Sequence, residues 1–154
     1  MGQKVSPIGL RLGVIRNWDL KWYASKVEVH TILHKDLQIR KQIADYYKKA
    51  QVSRITIERV KSKVMITVYT AKPGVVIGRE GAVKQEVVKK IEKLTGKTVY
   101  MSVVEIKNPD LDAKVIAQWI AEQLENRASF RTVQKKAIQR VMKAGAKGIK
   151  TSVS

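Results

Sequence analysis

A Gly-x-x-Gly tetrapeptide at residues 78–81 stands between a run of alternating apolar residues and an apolar stripe at helical spacing. The alternating run at residues 64–68 predicts a strand, because successive strand side chains point to opposite faces. The stripe at residues 82–94 predicts an amphipathic helix that packs on a sheet. The chain must therefore pass from strand to helix through a loop whose glycines let another backbone approach closely.

A helix is predicted upstream of these elements. Ser25 and Glu28 have the spacing of a capping box, in which a hydroxyl and a carboxylate satisfy free N–H groups at a helix start. The helical pattern reaches about residue 50, and Asp36 is a second start signal within it.

Two further strands are predicted around the first. Residues 54–58 alternate like residues 64–68, and a tight turn near residues 61–62 joins the two runs. A third strand covers residues 98–106, after which Asn108 and Pro109 break the chain. The result is a three-stranded sheet packed by helices.

The last third of the chain predicts two helices. Asp110 and Asp112 are well placed for the positive end of the first helix, while Ser129 and Gly145 can cap and close the second. Residues 148–154 have the pattern of a strand that lacks a pairing partner. The fold class is therefore α+β, with the two-helix start of a second α/β domain at the C-terminal end.

Residues 1–24 form a predicted basic arm, residues 25–107 the first domain, and residues 108–154 the N-terminal part of a second, truncated domain. Prolines and glycines in the arm break any periodicity, so no regular element is expected there. Its candidate RNA contacts are Gln3, Lys4, Arg11 and Arg16. Alternatively, the arm is a loop that packs apolar side chains onto the core: Leu10, Leu12, Val14 and Trp18.

The net charge predicts a polyanionic partner. The chain has 31 Lys and Arg but only 13 Asp and Glu, which gives a net charge of +18 on 154 residues. Nucleic acid fits best, because neutralising its phosphates releases counterions; membrane surfaces and acidic proteins are the rivals. Apolar residues make up 44% of the chain, so it is expected to fold. No stretch is apolar enough to span a bilayer or to serve as a signal peptide.

The glycine loop is the first candidate RNA site. A helix that begins there offers free N–H groups and a positive dipole end to a phosphate. Its candidate residues are Lys72, Gly78, Arg79, Gly81 and Lys84. The alternative is a tight turn that needs glycine for its geometry alone.

The last helix is the second candidate RNA site. Arg131 and Lys135 are four residues apart and share one face. A second basic face carries Lys136, Arg140, Lys143 and Lys147. The alternative is a solvated basic surface without a partner.

No catalytic, metal or cofactor site is predicted. His30 and His34 have metal-ligand spacing on a helix, but no third ligand and no adjacent glutamate accompany them. The tripeptide at residues 96–98 resembles the end of a phosphate-binding loop but lacks its first glycine. Cysteine is absent, which excludes disulfides and thiolate chemistry.

The order of helix, strand, strand, short helix, Gly-x-x-Gly, helix and strand resembles the type II KH fold, whose loop clamps RNA backbone. Four blocks resemble the family of bacterial ribosomal small-subunit protein three: MGQKVSPIGLRLG, TAKPGVVIGREG, LDAKVIA and GAKGIKTSVS. The resemblance implies a ribosome-bound cytoplasmic protein that binds ribosomal RNA in the head of the small subunit. It also implies contact with messenger RNA where that strand enters, for which the candidate residues are Arg131, Lys135, Lys136 and Arg140. Neighbouring head and channel proteins are the expected partners, and no membrane is expected.

Departures from the family pattern refine these expectations. The family has basic residues at the positions of Arg131, Thr132 and Lys135 that help to unwind messenger RNA, so Thr132 implies a weaker grip. Glu80 places a carboxylate inside the glycine loop and should repel phosphate. The family also continues beyond Ser154 into a glycine-rich turn and further strands.

Two other functions stay open at this stage. A free KH regulator would bind single-stranded RNA by itself through aromatic or apolar groove residues, whereas every aromatic residue here can be assigned to the core or the arm. A DNA-binding or nucleic-acid-processing enzyme would require a catalytic set that the sequence does not supply.

Overall fold

A computed structural model describes residues 2–153, apart from the side chain of Glu80. The helices are α1 Pro7–Arg11, α2 Val29–Tyr46, α3 Pro73–Ile77, α4 Ala82–Thr95, α5 Ala113–Glu125 and α6 Phe130–Lys143. The strands are β1 Leu20–Lys21, β2 Val52–Val60, β3 Lys63–Thr70 and β4 Thr98–Glu105. Short 3-10 turns cover Lys48–Ala50, Arg79–Gly81 and Pro109–Leu111. The α+β class and the KH order of elements are confirmed.

The sheet has the strand order β1-β2-β3-β4, four strands where the sequence predicts three. The hairpin of β2 and β3 is antiparallel, and the helices α3 and α4 carry the chain across to β4, which is parallel to β3. The extra strand β1 comes from the arm, where Leu20 pairs with Ile57 of β2. The arm also contains α1, whose start combines the Ser6 cap with Pro7 at the first helical position. The prediction that the arm has no regular element was therefore wrong.

The main core lies between one face of the sheet and the helices α2 and α4. Its fully buried aliphatic side chains are Ile39, Ile43, Ile57, Val64, Ile66, Val68, Val76 and Ile91. A separate small cluster joins α5 to α6 and contains Ile116, Ala137 and Val141. No helix within residues 2–153 has the length and apolar character needed to cross a membrane.

Helix α2 is continuous through Asp36, so the predicted restart there was wrong. The carboxylate of Asp36 is fully buried and forms an ion pair with Arg59 of β2. It also accepts a hydrogen bond of 2.8 Å from the indole N–H of Trp22. A buried charge must be paired, and these two donors keep it inside the helix. The helix begins at Val29, later than predicted: Ser25 donates a hydrogen bond to the carboxylate of Glu28 in a preceding turn, and no side chain caps the helix start.

The C-terminal third differs from prediction in three places. Asp112 caps α5 through the backbone N–H groups of Lys114 and Val115, as predicted, but Asp110 forms an ion pair with Arg140 instead. Ser129 is the N-cap residue of α6 yet makes no side-chain cap bond. Residues 148–153 form no strand, and Ile149 packs against the α5–α6 cluster. Ser154 lies outside the described residues. Whether residue 108 separates two domains stays a prediction.

Candidate nucleic-acid interface

The glycine loop requires glycine at both of its ends. Gly78 has φ 73° and ψ −176°, and Gly81 has φ 77° and ψ 8°, two conformations that other residues rarely adopt. A β-carbon at Gly78 would lie 2.8 Å from the Cβ of Val83 and closer still to its Cγ2, whereas one at Gly81 would meet open space. A side chain at position 78 would therefore cause both backbone strain and a steric clash, whereas a side chain at position 81 would cause backbone strain alone.

This difference predicts unequal effects of alanine at the two glycines. Gly81→Ala should lower the free energy of unfolding by about 1 kcal/mol, the usual cost of a left-handed alanine. Gly78→Ala adds an overlap with the first turn of α4, so we expect a loss of about 3 kcal/mol. Urea unfolding of both variants measures the difference, and equal losses would contradict the described loop geometry.

The cations near the loop face solvent. Lys72 and Arg79 are exposed, and Lys84 is half-buried on the first turn of α4. A groove of about 420 Å³ runs from Lys84 along α4 and the edge strand β4, where Lys89 and Tyr100 also line it. Sequence reasoning missed these last two residues. The alternation of β4, with its neighbours Val99 and Met101 buried, is the signal that would have placed Tyr100 outside.

The predicted repulsion by Glu80 concerns a side chain outside the described residues. A different carboxylate on α4 is fully engaged: Glu86 accepts hydrogen bonds of 2.7 Å from Lys90 and from the hydroxyl of Tyr46. The bond from Lys90 lowers the pKa of Glu86, and the same contact raises the pKa of Lys90. Lys90 is therefore already paired with a carboxylate. Lys84 and the exposed Lys89 have no ion pair with a described residue.

Helix α6 presents its cations away from the buried stripe of Val133, Ala137 and Val141. Arg131, Lys135, Lys136 and Lys143 are exposed, and none forms an ion pair with a described carboxylate. The guanidinium of Arg131 lies 5.7 Å from the ring centroid of Phe130. Arg140 differs, because Asp110 holds its guanidinium at 2.6 Å. Lys147 lies beyond the helix end at Lys143, so the predicted second face is shorter than expected.

The arm is anchored at its C-terminal end by Asp19. Its carboxylate contacts Arg40 at 3.0 Å and Arg54 at 2.5 Å, and its carbonyl accepts a bond from the backbone N–H of Ile57. Burial alone would raise the pKa of Asp19, but the hydrogen bonds from Arg54 and Arg40 outweigh burial and lower it. These contacts pair two arginines within the fold and fix the start of β1.

The rest of the arm is exposed. Gln3, Lys4, Arg11 and Arg16 all face solvent, and Arg11 also donates a 2.8 Å hydrogen bond to the carbonyl of Pro7. The idea that the arm packs its apolar residues onto the core does not hold for three of its four members, which are exposed: Leu10, Val14 and Trp18. Both charged and apolar groups of the arm are thus available to a partner.

The charge of the protein is largely unneutralised. Ion pairs with described carboxylates engage seven of the 31 Lys and Arg: Lys21, Arg40, Lys48, Arg54, Arg59, Lys90 and Arg140. The arm, the glycine loop and α6 therefore keep most of their positive charge for an external anion.

The histidines and aspartates singled out in the sequence form no metal-binding group among the described residues. His30 and His34 are both exposed on α2, and the described residues contain no cluster of three or more His, Asp or Glu side chains that could hold a metal ion. Asp110 and Asp112 are engaged by Arg140 and by the start of α5.

Two family models match the chain in succession. Residues 38–111 match the KH domain, and residues 120–154 match the C-terminal domain of ribosomal protein S3. The first match contains β2, β3, the glycine loop, α4 and β4, and the second contains all of α6.

Relatives match the chain over its entire length. The small ribosomal subunit protein uS3 of Enterococcus faecalis is 58% identical over 154 residues, which is 100% of this chain and 70% of the relative. The chain belongs to the uS3 family. The uS3 protein of Listeria monocytogenes is 56% identical with the same coverage, and that of Anaeroplasma abactoclasticum is 57% identical over 159 residues, with 63% of its length covered. The chain thus spans about two thirds of the length of these uS3 relatives.

Proposed function

We propose that this chain is a structural component of the small ribosomal subunit that binds ribosomal RNA through its phosphate backbone. It works in the cytoplasm as part of the ribosome and catalyses no reaction. One observation carries the proposal: the arm, the glycine loop and α6 each present cations without described ion pairs, in a chain of the uS3 family. Phosphate contacts of this kind supply most of the affinity of sequence-independent RNA binding.

Helix α6 is the proposed contact with messenger RNA. Arg131, Lys135 and Lys136 are exposed on a rigid helix that needs none of them for its core. A cationic face of this kind holds separated RNA strands without hydrolysing a nucleotide, while movement of the ribosome supplies the work. Thr132 lies among them without a charge, so the grip should be weaker by one phosphate contact.

Cell fractionation tests the assignment. Small ribosomal subunits from the source cells, separated on a sucrose gradient, should carry this protein in stoichiometric amount, and washing in moderate salt should leave it bound. Detection only in the ribosome-free fractions would overturn the proposed function.

The groove beside α4 favours a second candidate, a KH protein that binds single-stranded RNA by itself. Tyr100 is 51% exposed and lines the groove with the aliphatic Val88, and the ammonium of Lys63 lies 5.6 Å from its ring centroid, so the groove presents an aromatic ring beside a cation. The assignment of every aromatic residue to core or arm was therefore incomplete. Under this alternative, Tyr100→Ala should weaken binding to single-stranded RNA severalfold even when the ribosome is absent.

A further inference from the structure

Arg140 differs from the other cations of α6 because its charge is paired within the chain, although its side chain is 41% exposed. Its Nη2 lies 2.6 Å from Oδ1 of Asp110, an ion pair without hydrogen-bond geometry, and its guanidinium lies 5.7 Å from the ring centroid of Trp119. Asp110 belongs to the turn that follows β4, and Trp119 belongs to α5. One side chain of α6 therefore touches both segments that precede the helix.

The position of Arg140 on the helix fits these contacts with the preceding segments. With 3.6 residues per turn, Lys135 lies opposite the buried stripe, while Arg140 lies at its margin, one turn from Ala137. The sequence pattern alone grouped Arg140 with Lys136 on a single basic face. The contacts separate the two: both side chains are exposed, but only Arg140 contacts Asp110 and Trp119.

The segment that Arg140 grips is itself bonded to the KH sheet. Asp112 accepts a hydrogen bond from Ser53 of β2, and the amide of Gln118 donates one of 3.2 Å to the carbonyl of Val52. These polar contacts form a series from β2 through the start of α5 to α6. The buried apolar residues form two separate clusters on either side of this series.

We propose that Arg140 is a positioning residue: through Asp110 and Trp119 it fixes the basic face of α6 relative to the KH sheet, and it is not itself an RNA contact. The inference rests on the proposed function. Two cationic surfaces held rigidly bind one RNA strand with a higher effective concentration than two surfaces that move independently. Loosening the contact should therefore weaken RNA binding although it removes no RNA-facing charge.

The variant Asp110→Asn distinguishes the two possible roles of Arg140, because they predict opposite changes in RNA affinity. If Arg140 contacts RNA, removing the nearby carboxylate frees its charge and tightens binding. If Arg140 positions α6, the same variant weakens binding to polyuridine of about 30 nucleotides, by about threefold to tenfold in Kd. Asp45→Asn is the matched control, because it removes one exposed carboxylate that pairs only loosely with Lys48, at 3.8 Å.

Exchanging the charged residues at positions 110 and 140 tests whether RNA binding can be restored. Arg140→Asp alone should weaken binding, and the double variant Asp110→Arg with Arg140→Asp should return Kd to within about twofold of the wild type, although α6 then carries a negative charge at that position. Tighter binding by Asp110→Asn, or a double variant as weak as Arg140→Asp, would overturn the positioning role. If the unaltered chain fails to bind polyuridine, the proposed function itself fails.

Discussion

Asp36→Ala is expected to destabilise the protein by about 3–5 kcal/mol, because it leaves the guanidinium of Arg59 buried without its counter-ion. The carboxylate of Asp36 is fully buried and Arg59 is only 9% exposed. The variant also removes the acceptor of the Trp22 indole, which joins the arm to α2. Since domains of this size have roughly 5–15 kcal/mol in total, the urea midpoint should fall by on the order of 2 M.

Matched variants separate the loss of a partner from the loss of a charge. Asp45→Ala removes an exposed carboxylate 3.8 Å from Lys48 and should change stability by less than about 1 kcal/mol. Replacing both partners by apolar residues, Asp36→Leu with Arg59→Met, should recover much of the loss, because no unpaired charge stays buried. An Asp36→Ala effect as small as that of Asp45→Ala would show that the pair does not hold α2 and β2 together.

Arg131→Ala with Lys135→Ala is expected to slow translation through stable messenger hairpins while leaving assembly of the subunit intact. Both side chains are exposed and lie outside the α5–α6 cluster, so the fold should not respond. Loss of two phosphate contacts should reduce the salt dependence of RNA binding by about 1.4 in the slope of log K against log salt. Toeprinting on messengers with and without a hairpin measures the pause directly.

A control with the same change of net charge is Lys26→Ala with Lys49→Ala. These two exposed lysines flank α2, outside the arm, the glycine loop and α6. If both double variants prolong the hairpin pause equally, or if neither does, α6 has no special role in unwinding.

The sequence predicts the architecture where one local rule decides the structure. The alternation at residues 64–68 and the stripe at residues 82–94 are both found as expected, and Gly96 ends α4 in a left-handed conformation. Gly78 and Gly81 could be singled out because two glycines between a strand and a helix let another backbone approach closely. The close approach of Val83 to Gly78 could not be predicted from the sequence, because it depends on how α4 is oriented relative to the loop.

The sequence fails where contacts between distant residues decide. Asp36 has the residue type of a helix start but is a buried partner of Arg59, a relation of 23 positions that no local pattern encodes. Asp110 has the position of a cap yet binds Arg140, 30 positions later. The two-residue strand β1 is too short for a periodic signal and exists because Asp19 and Leu20 reach β2. The pattern of charged residues on a helix face likewise does not predict which cation forms an ion pair within the protein.

Salt dependence of RNA affinity tests most directly whether free cations of this fold bind phosphate. The measurement is the Kd of the chain for single-stranded RNA of about 30 nucleotides between low and moderate salt. If four or more phosphates are contacted, the plot of log K against log salt should be linear with a slope of about −3 or steeper. A slope near zero would contradict the account, since binding would then not depend on the positive charge of the arm, the glycine loop and α6.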